Sequence, residues 1–121
     1  MRLPILLVAD ALNAELPEIN WFVNQVDESQ QVNPTYPLGR IVEIGGDYGF
    51  YSSENPNYLL TSVQVDVWVK DMKQLEEYYF KLDEIMRADN VQCDYTEQTQ
   101  DHDLKDARRI IKRYTISQRV I

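Results

Sequence analysis

Residues Thr61 to Asp89 constrain the fold of this 121-residue chain more than any other stretch. The run TSVQVDVWV, Thr61 to Val69, places Val63, Val65, Val67 and Val69 on one face and Gln64, Asp66 and Trp68 on the other. Period-two alternation in β-branched residues is the pattern of a strand with one face in a core. Asp71 then stands where its carboxylate can accept from the unpaired N–H groups of a helix start. From Met72 the period becomes helical. Met72, Leu75, Tyr78 or Tyr79, Leu82, Ile85 and Met86 recur at steps of three and four, and Asp89-Asn90 ends the run. A strand followed by an amphipathic helix must lay the apolar stripe of the helix against the valine face, because both need burial.

The remaining segments follow in order. Leu3 to Leu16 reads as a helix, with Leu3, Leu6, Leu7, Ala11 and Ala14 on a stripe, Pro4 in its first turn and Pro17 beyond its end. It reads as a helix covering the core. Ile19 to Val26 reads as a short strand with large apolar groups on both faces, which predicts cover on both sides. Residues 27–37, polar and ending in NPTYP, read as a loop. Leu38 to Ile44 reads as a strand. Residues 45–58, GGDYGFYSSENPNY, read as a long hairpin loop carrying Tyr48, Phe50, Tyr51 and Tyr58. A long loop in a small domain is commonly functional, and aromatic rings supply contact area with few rotors to freeze. The competing reading folds these rings back onto the sheet edge. Val91 to Glu97 reads as a strand with Val91, Cys93 and Tyr95 on one side, residues 98–107 as a loop, and Arg108 to Val120 as the last strand. The predicted fold is a single α+β domain: a mixed or antiparallel sheet of four to five strands with two helices packed on one face.

The formal net charge is -8, with residues 1–60 at -6 and residues 61–121 at -2. Such a surface repels a phosphate backbone, which argues against sequence-specific nucleic-acid binding. The bland reading of the acidity is solubility. Positive charge gathers late in the chain, at Lys105, Arg108, Arg109, Lys112, Arg113 and Arg119. Complementary patches on one chain are what a head-to-tail assembly requires, so Arg108, Arg109, Lys112 and Arg113 are candidate subunit-interface charges. The competing reading pairs them with acidic neighbours inside the chain. PILLVADAL, from Pro4, is too short to span a bilayer and contains Asp10, which predicts no membrane partner.

No catalytic constellation is visible, so the chain is predicted not to be an enzyme and to need no cofactor or metal. His102, the single histidine, lies in QDHDLKD without defined metal-ligand spacing. Cys93, the single cysteine, has no internal disulfide partner and no histidine placed by sequence to activate it. Gly45-Gly46 lacks the lysine and hydroxyl of a phosphate loop.

The order of elements, with SVQVDVWVKDMKQLEEYYFKLDEIM from Ser62 to Met86 and RRIIKRYTIS from Arg108 to Ser117, resembles the tail terminator, or head–tail joining (minor tail), proteins of long-tailed phages of Gram-positive bacteria. The likeness covers most of the chain in layout. Its motifs are a valine-rich strand with an acidic position and an aromatic, Asp66 and Trp68, and a charged amphipathic helix. The resemblance implies a non-enzymatic virion protein, assembled in the host cytoplasm and resident in the tail. It implies a homo-hexameric ring that caps the tail tube, stops its growth and offers a surface to the head connector proteins. The partners would be other copies of the chain, the tail tube protein and the connector, with DNA passing through the channel. Six chains at -8 each would carry -48, and an acidic wall lets DNA slide without sticking. Residues 45–58 would then reach the tail tube or a neighbouring subunit. A small oligomeric ligand-binding or regulatory module is the alternative, since a strand–helix–strand sheet recurs in many functions. An enzyme with carboxylate chemistry is a third.

Overall fold

A computed structural model describes residues 2–52, 55–101 and 107–120; for residues 50–52, 55–57 and 101 it describes the backbone alone. The elements run α1 (Pro4–Glu15), β1 (Asn20–Val23), α2 (Glu28–Val32), β2 (Leu38–Ser52), β3 (Asn55–Val69), α3 (Met72–Ala88), β4 (Gln92–Asp101) and β5 (Ala107–Arg119). The five strands form one sheet in the order β1-β2-β3-β5-β4. β1 lies parallel to β2, and the other neighbours are antiparallel. The domain is therefore α+β with a mixed five-stranded sheet, and it holds three helices among the described residues.

The alternation in β3 divides the molecule. Val63, Val65, Val67 and Val69 are fully buried and share a core with Leu12 of α1 and with Leu75, Leu82 and Met86 of α3. Burying each such side chain contributes roughly 1.5–3 kcal/mol, which makes this seam the main source of cohesion. α3 is closed at both ends by its own chain. The Asp71 carboxylate accepts from the Gln74 N–H at 2.9 Å. At the other end Asn90 takes a left-handed backbone (φ 61°), the Asn90 N–H donates to Arg87 O at 3.0 Å and the Val91 N–H to Met86 O at 2.9 Å. Asparagine tolerates that conformation, and the two bonds satisfy carbonyls a helix end leaves orphaned. Met72, placed on the apolar stripe by periodicity, is instead exposed, because it sits in the first turn beside the cap.

β1 is shorter than predicted and is covered on both sides. Trp21 faces the main core, donates its indole N–H to Leu16 O at 3.1 Å and lies over Gly39 of β2. A Cβ on Gly39 would come within 2.3 Å of the Trp21 ring, so this position excludes every larger residue while the indole stays in place. Phe22 faces the other way and joins Val26, Tyr36, Leu38, Trp68 and Ala107 in a second, smaller core. Residues 27–37 are thus not a plain loop. They include α2, whose own side chains stay unburied, and the flanking Val26 and Tyr36 fold over one end of the face that α1 and α3 leave open.

Two further corrections concern strand length. Residues 45–52 and 55–58, expected in a long loop, are strand: β2 and β3 continue as a ribbon, paired from Leu38↔Trp68 out to Ser52↔Asn55, with a bulge between Glu43 and Gly45. Cross-strand pairing overrides the low strand preference of the glycines and asparagines there. Gln98 to Asp101 belongs to β4. His102 and Lys105 lie outside the described residues. No helix among the described residues is long and apolar enough to cross a membrane.

Candidate functional site

The ribbon stands out from the rest of the sheet. In β2 every residue from Glu43 to Tyr48 is exposed, on both parities of the strand. Ile44 is 51% and Tyr48 57% exposed. β5 accompanies β3 only as far as the pair Tyr58↔Arg119, so the outermost rungs are two-stranded. Of the four aromatic residues predicted as a contact surface, Tyr48 is exposed and Tyr58 is half-buried on the neighbouring strand. Phe50 and Tyr51 lie on the β2 backbone of the ribbon, with their side chains outside the described set.

The four predicted interface cations do not act together, because alternation along β5 sends them to opposite faces. Arg109 and Arg113 lie opposite Trp68 and Gln64 on the open face. Arg108 and Lys112 lie opposite Val69 and Val65 on the helix-covered face. Arg108 donates Nη2 to Gln98 Oε1 at 3.2 Å, while its Nε is buried without a hydrogen-bond partner among the described residues. Lys112 is fully buried. Its ammonium donates to Asp83 Oδ2 at 2.9 Å and to Thr96 Oγ1 at 3.1 Å, and lies 3.9 Å from the centre of the Tyr79 ring. The same Asp83 accepts from the Tyr114 hydroxyl at 2.8 Å. Lys112 is therefore a pin between α3 and the sheet, and not a surface charge. Burial, followed by the neighbouring Asp83 charge and the hydrogen bond to it, pushes the Tyr114 phenol well above its ordinary range. Burial and Asp83 also push the Cys93 thiol up, which keeps it protonated and a weak nucleophile.

On the open face the centre is Asp66, fully buried within the chain. Arg40 gives Nε and Nη2 to Oδ2 at 3.2 and 2.9 Å. Arg109 gives Nε and Nη2 to Oδ1 at 3.0 and 2.7 Å. The Gln64 amide adds 3.1 and 3.3 Å contacts to the two oxygens. Both guanidiniums also stand over the Trp68 ring, 5.5 and 5.3 Å from its centre. Charge-assisted forks of this kind fix orientation as well as adding energy, and the indole face adds cation–π attraction. Further along the face, Arg113 donates Nε to Gln64 Oε1 at 2.9 Å and lies 4.9 Å from the Tyr95 ring centre. Tyr95 reaches this face only because a bulge between Cys93 and Tyr95 reverses the predicted parity of β4. The Tyr95 hydroxyl donates to Glu97, which raises its own proton affinity.

Among the described residues no group of three or more His, Cys, Asp or Glu is placed to hold a metal ion. A groove of about 660 Å³ beside α3, lined in part by Met72, Tyr79, Phe80 and Gln98, is open to solvent. A smaller depression of about 340 Å³ lies between α3 and β4, lined in part by Asp83, Arg87 and Cys93. Compared with known proteins, the chain matches no family model and no curated sequence. Asp66 and Trp68 were legible in the sequence as a motif. The two arginines that meet there come from strands 26 and 43 residues away, and no local signal pairs them.

Proposed function

We propose that this chain is a structural protein that assembles into a ring on the end of a phage tail tube, stops the tube's growth and presents a joining surface to the head connector. The observation that carries this reading is the ribbon. Six consecutive residues of β2, Glu43 to Tyr48, are exposed on both faces of the strand and include Ile44 and Tyr48. A strand pair with one strand exposed over six residues gains from docking that strand against another protein. The order of elements on which the resemblance rests, a helix, a strand, two strands flanking residues 45–58, a helix and two closing strands, supports the reading. Hexameric number, virion location and the connector as partner come from that resemblance. No proton shuttle or nucleophile is invoked, since the role is mechanical.

The test uses tail tubes grown from the cognate tube protein, with lengths measured by negative-stain electron microscopy. Addition of this chain yields shorter tubes with a ring at one end. In a shortened variant, an Asn-Gly turn replaces residues 50–57 and closes the ribbon on the Gly49↔Tyr58 pair. It stays folded by circular dichroism, and with Ile44→Ser and Tyr48→Ser added, both at exposed positions, it loses capping. Tube lengths unaffected by the full-length chain would refute the reading.

A further inference from the structure

The arginine face and the ribbon carry opposite charge and cannot meet within one chain. Residues 41–58 contain Glu43, Asp47 and Glu54 and no lysine or arginine. Between the Trp68 and Gln64 rungs the open face carries Arg40, Arg109 and Arg113 against the single carboxylate Asp66, while Arg119 stands apart at the far end of β5, opposite Tyr58. Two guanidiniums share that carboxylate, each partly exposed. Among the described residues Arg113 has no carboxylate within ion-pair distance; its partners are an amide and a ring. Glu97 and Asp94 stand on the β4 rim, where they accept from Tyr95 and Thr115. Asp47 is paired with Leu60; the Gln64 rung that bears Arg113 lies four residues further along the same continuous strand, and the Asp66 rung six. At the rise of a β-strand those separations are about 13 and 20 Å, and β3 stands between Asp47 and Arg113, so the side chains do not meet. The ribbon is an extension of the very sheet that bears the arginines, so it cannot fold back onto them without breaking the ladder.

We infer that the acidic ribbon of one copy lies across the arginine-bearing open face of the next copy. The contact joins two different surfaces, so it propagates head to tail and closes as a ring where the rotation allows. The exposed Arg113 guanidinium, already oriented by Gln64 and Tyr95, meets the ribbon's carboxylates, and Ile44 and Tyr48 supply apolar area beside it. This inference rests on the ring-forming reading above and names the surfaces that would form the ring.

The experiment is light scattering behind size exclusion, over a series of protein concentrations and at low and high salt. The purified full chain is compared with Arg113→Glu, Asp47→Lys and the chain carrying both. Both positions are exposed, so each variant retains the fold by circular dichroism. The wild type assembles as concentration rises and assembles less at high salt. Each single reversal moves the assembly midpoint to at least about tenfold higher concentration, and the double reversal restores it, because the contact is rebuilt with its signs exchanged. Assembly of both single variants at the wild-type concentration would overturn the inference and leave a ring built by other surfaces. A strict monomer throughout would overturn it too, with the tube-length assay then deciding the capping role separately. Charge-swap rescue in a chain that fails to cap tubes would uphold the contact and discard the tail role.

Discussion

The two faces of the sheet each hold a carboxylate among cations, and they differ in balance. Asp83, under α3, faces one ammonium, Lys112, and one phenol, Tyr114. The charges cancel, and the Lys112 ammonium is closed off beneath the helix. Asp66, on the open face, faces two guanidiniums and an amide, and both guanidiniums remain partly in water. The first arrangement can only hold α3 to the sheet. The second holds β2, β3 and β5 in register and still presents uncompensated positive charge outward. A sheet covered on one side can thus use the same chemistry for cohesion on one face and for display on the other.

Removing each carboxylate tests that contrast most strongly. Asp83→Ala leaves the fully buried Lys112 ammonium without its anion, and breaking such a buried pair costs about 3–5 kcal/mol. Asp66→Ala leaves arginines that can turn to water, and costs about 1–2 kcal/mol. Urea unfolding of both variants gives the order, and equal losses would erase the distinction between the two faces.

Alkali sharpens the comparison. The cluster around Asp66 is made of guanidiniums, an amide and an indole, with no phenol in it. The covered face holds phenols. Burial, then the charges of Glu18 and Glu77, push Tyr78 up to about 12 from 10.0, and Tyr114 is raised further still. The unfolded chain releases these protons near pH 10 while the folded chain keeps them. Their contribution to stability is therefore complete below pH 10 and declines as pH rises from there toward about 12 and beyond. Tyr114→Phe removes one titrating phenol, so its stability falls less over that interval than the wild type's. An identical fall in wild type and variant would mean that Tyr114 ionises as freely in the fold as out of it.

The smallest effect belongs to the ribbon. Closing it on Gly49↔Tyr58, as in the capping assay, leaves both clusters and the valine core untouched, so unfolding free energy stays within about 0.5 kcal/mol. A larger loss, read from the same urea titration, would make the ribbon part of the folding core and weaken its assignment to assembly.

Much of this architecture was legible from residues 61–89, where local and tertiary preferences agree. The β3 alternation, the Asp71 cap and the Asn90 stop all appear where periodicity and capping chemistry place them. The ribbon was not legible, because its glycines and asparagines carry turn chemistry and its strand state comes from a partner strand. The bulge after Cys93 was equally hidden, and it alone brings Tyr95 to the arginine face. Grouping Arg108, Arg109, Lys112 and Arg113 by proximity in sequence failed for a simple geometric reason: neighbours on a strand point apart. The placement of Arg109 and Lys112 matches the competing expectation of pairing inside the chain, with Asp66 and Asp83 as the anions. Asp83 drew no notice in the helix, since a charge there is ordinary until a lysine from β5 is found beneath it.

The seclusion of Lys112 has a consequence for chemical labelling. Its ammonium is enclosed by Asp83, Thr96 and the Tyr79 ring, whereas Lys70 and Lys73 lie in the open. An acylating reagent that modifies exposed amines at once reaches Lys112 only when α3 lifts from the sheet, since local opening governs access to protected groups. The rate of that single modification is a built-in clock for the separation of helix and sheet, readable in any assembly the chain enters.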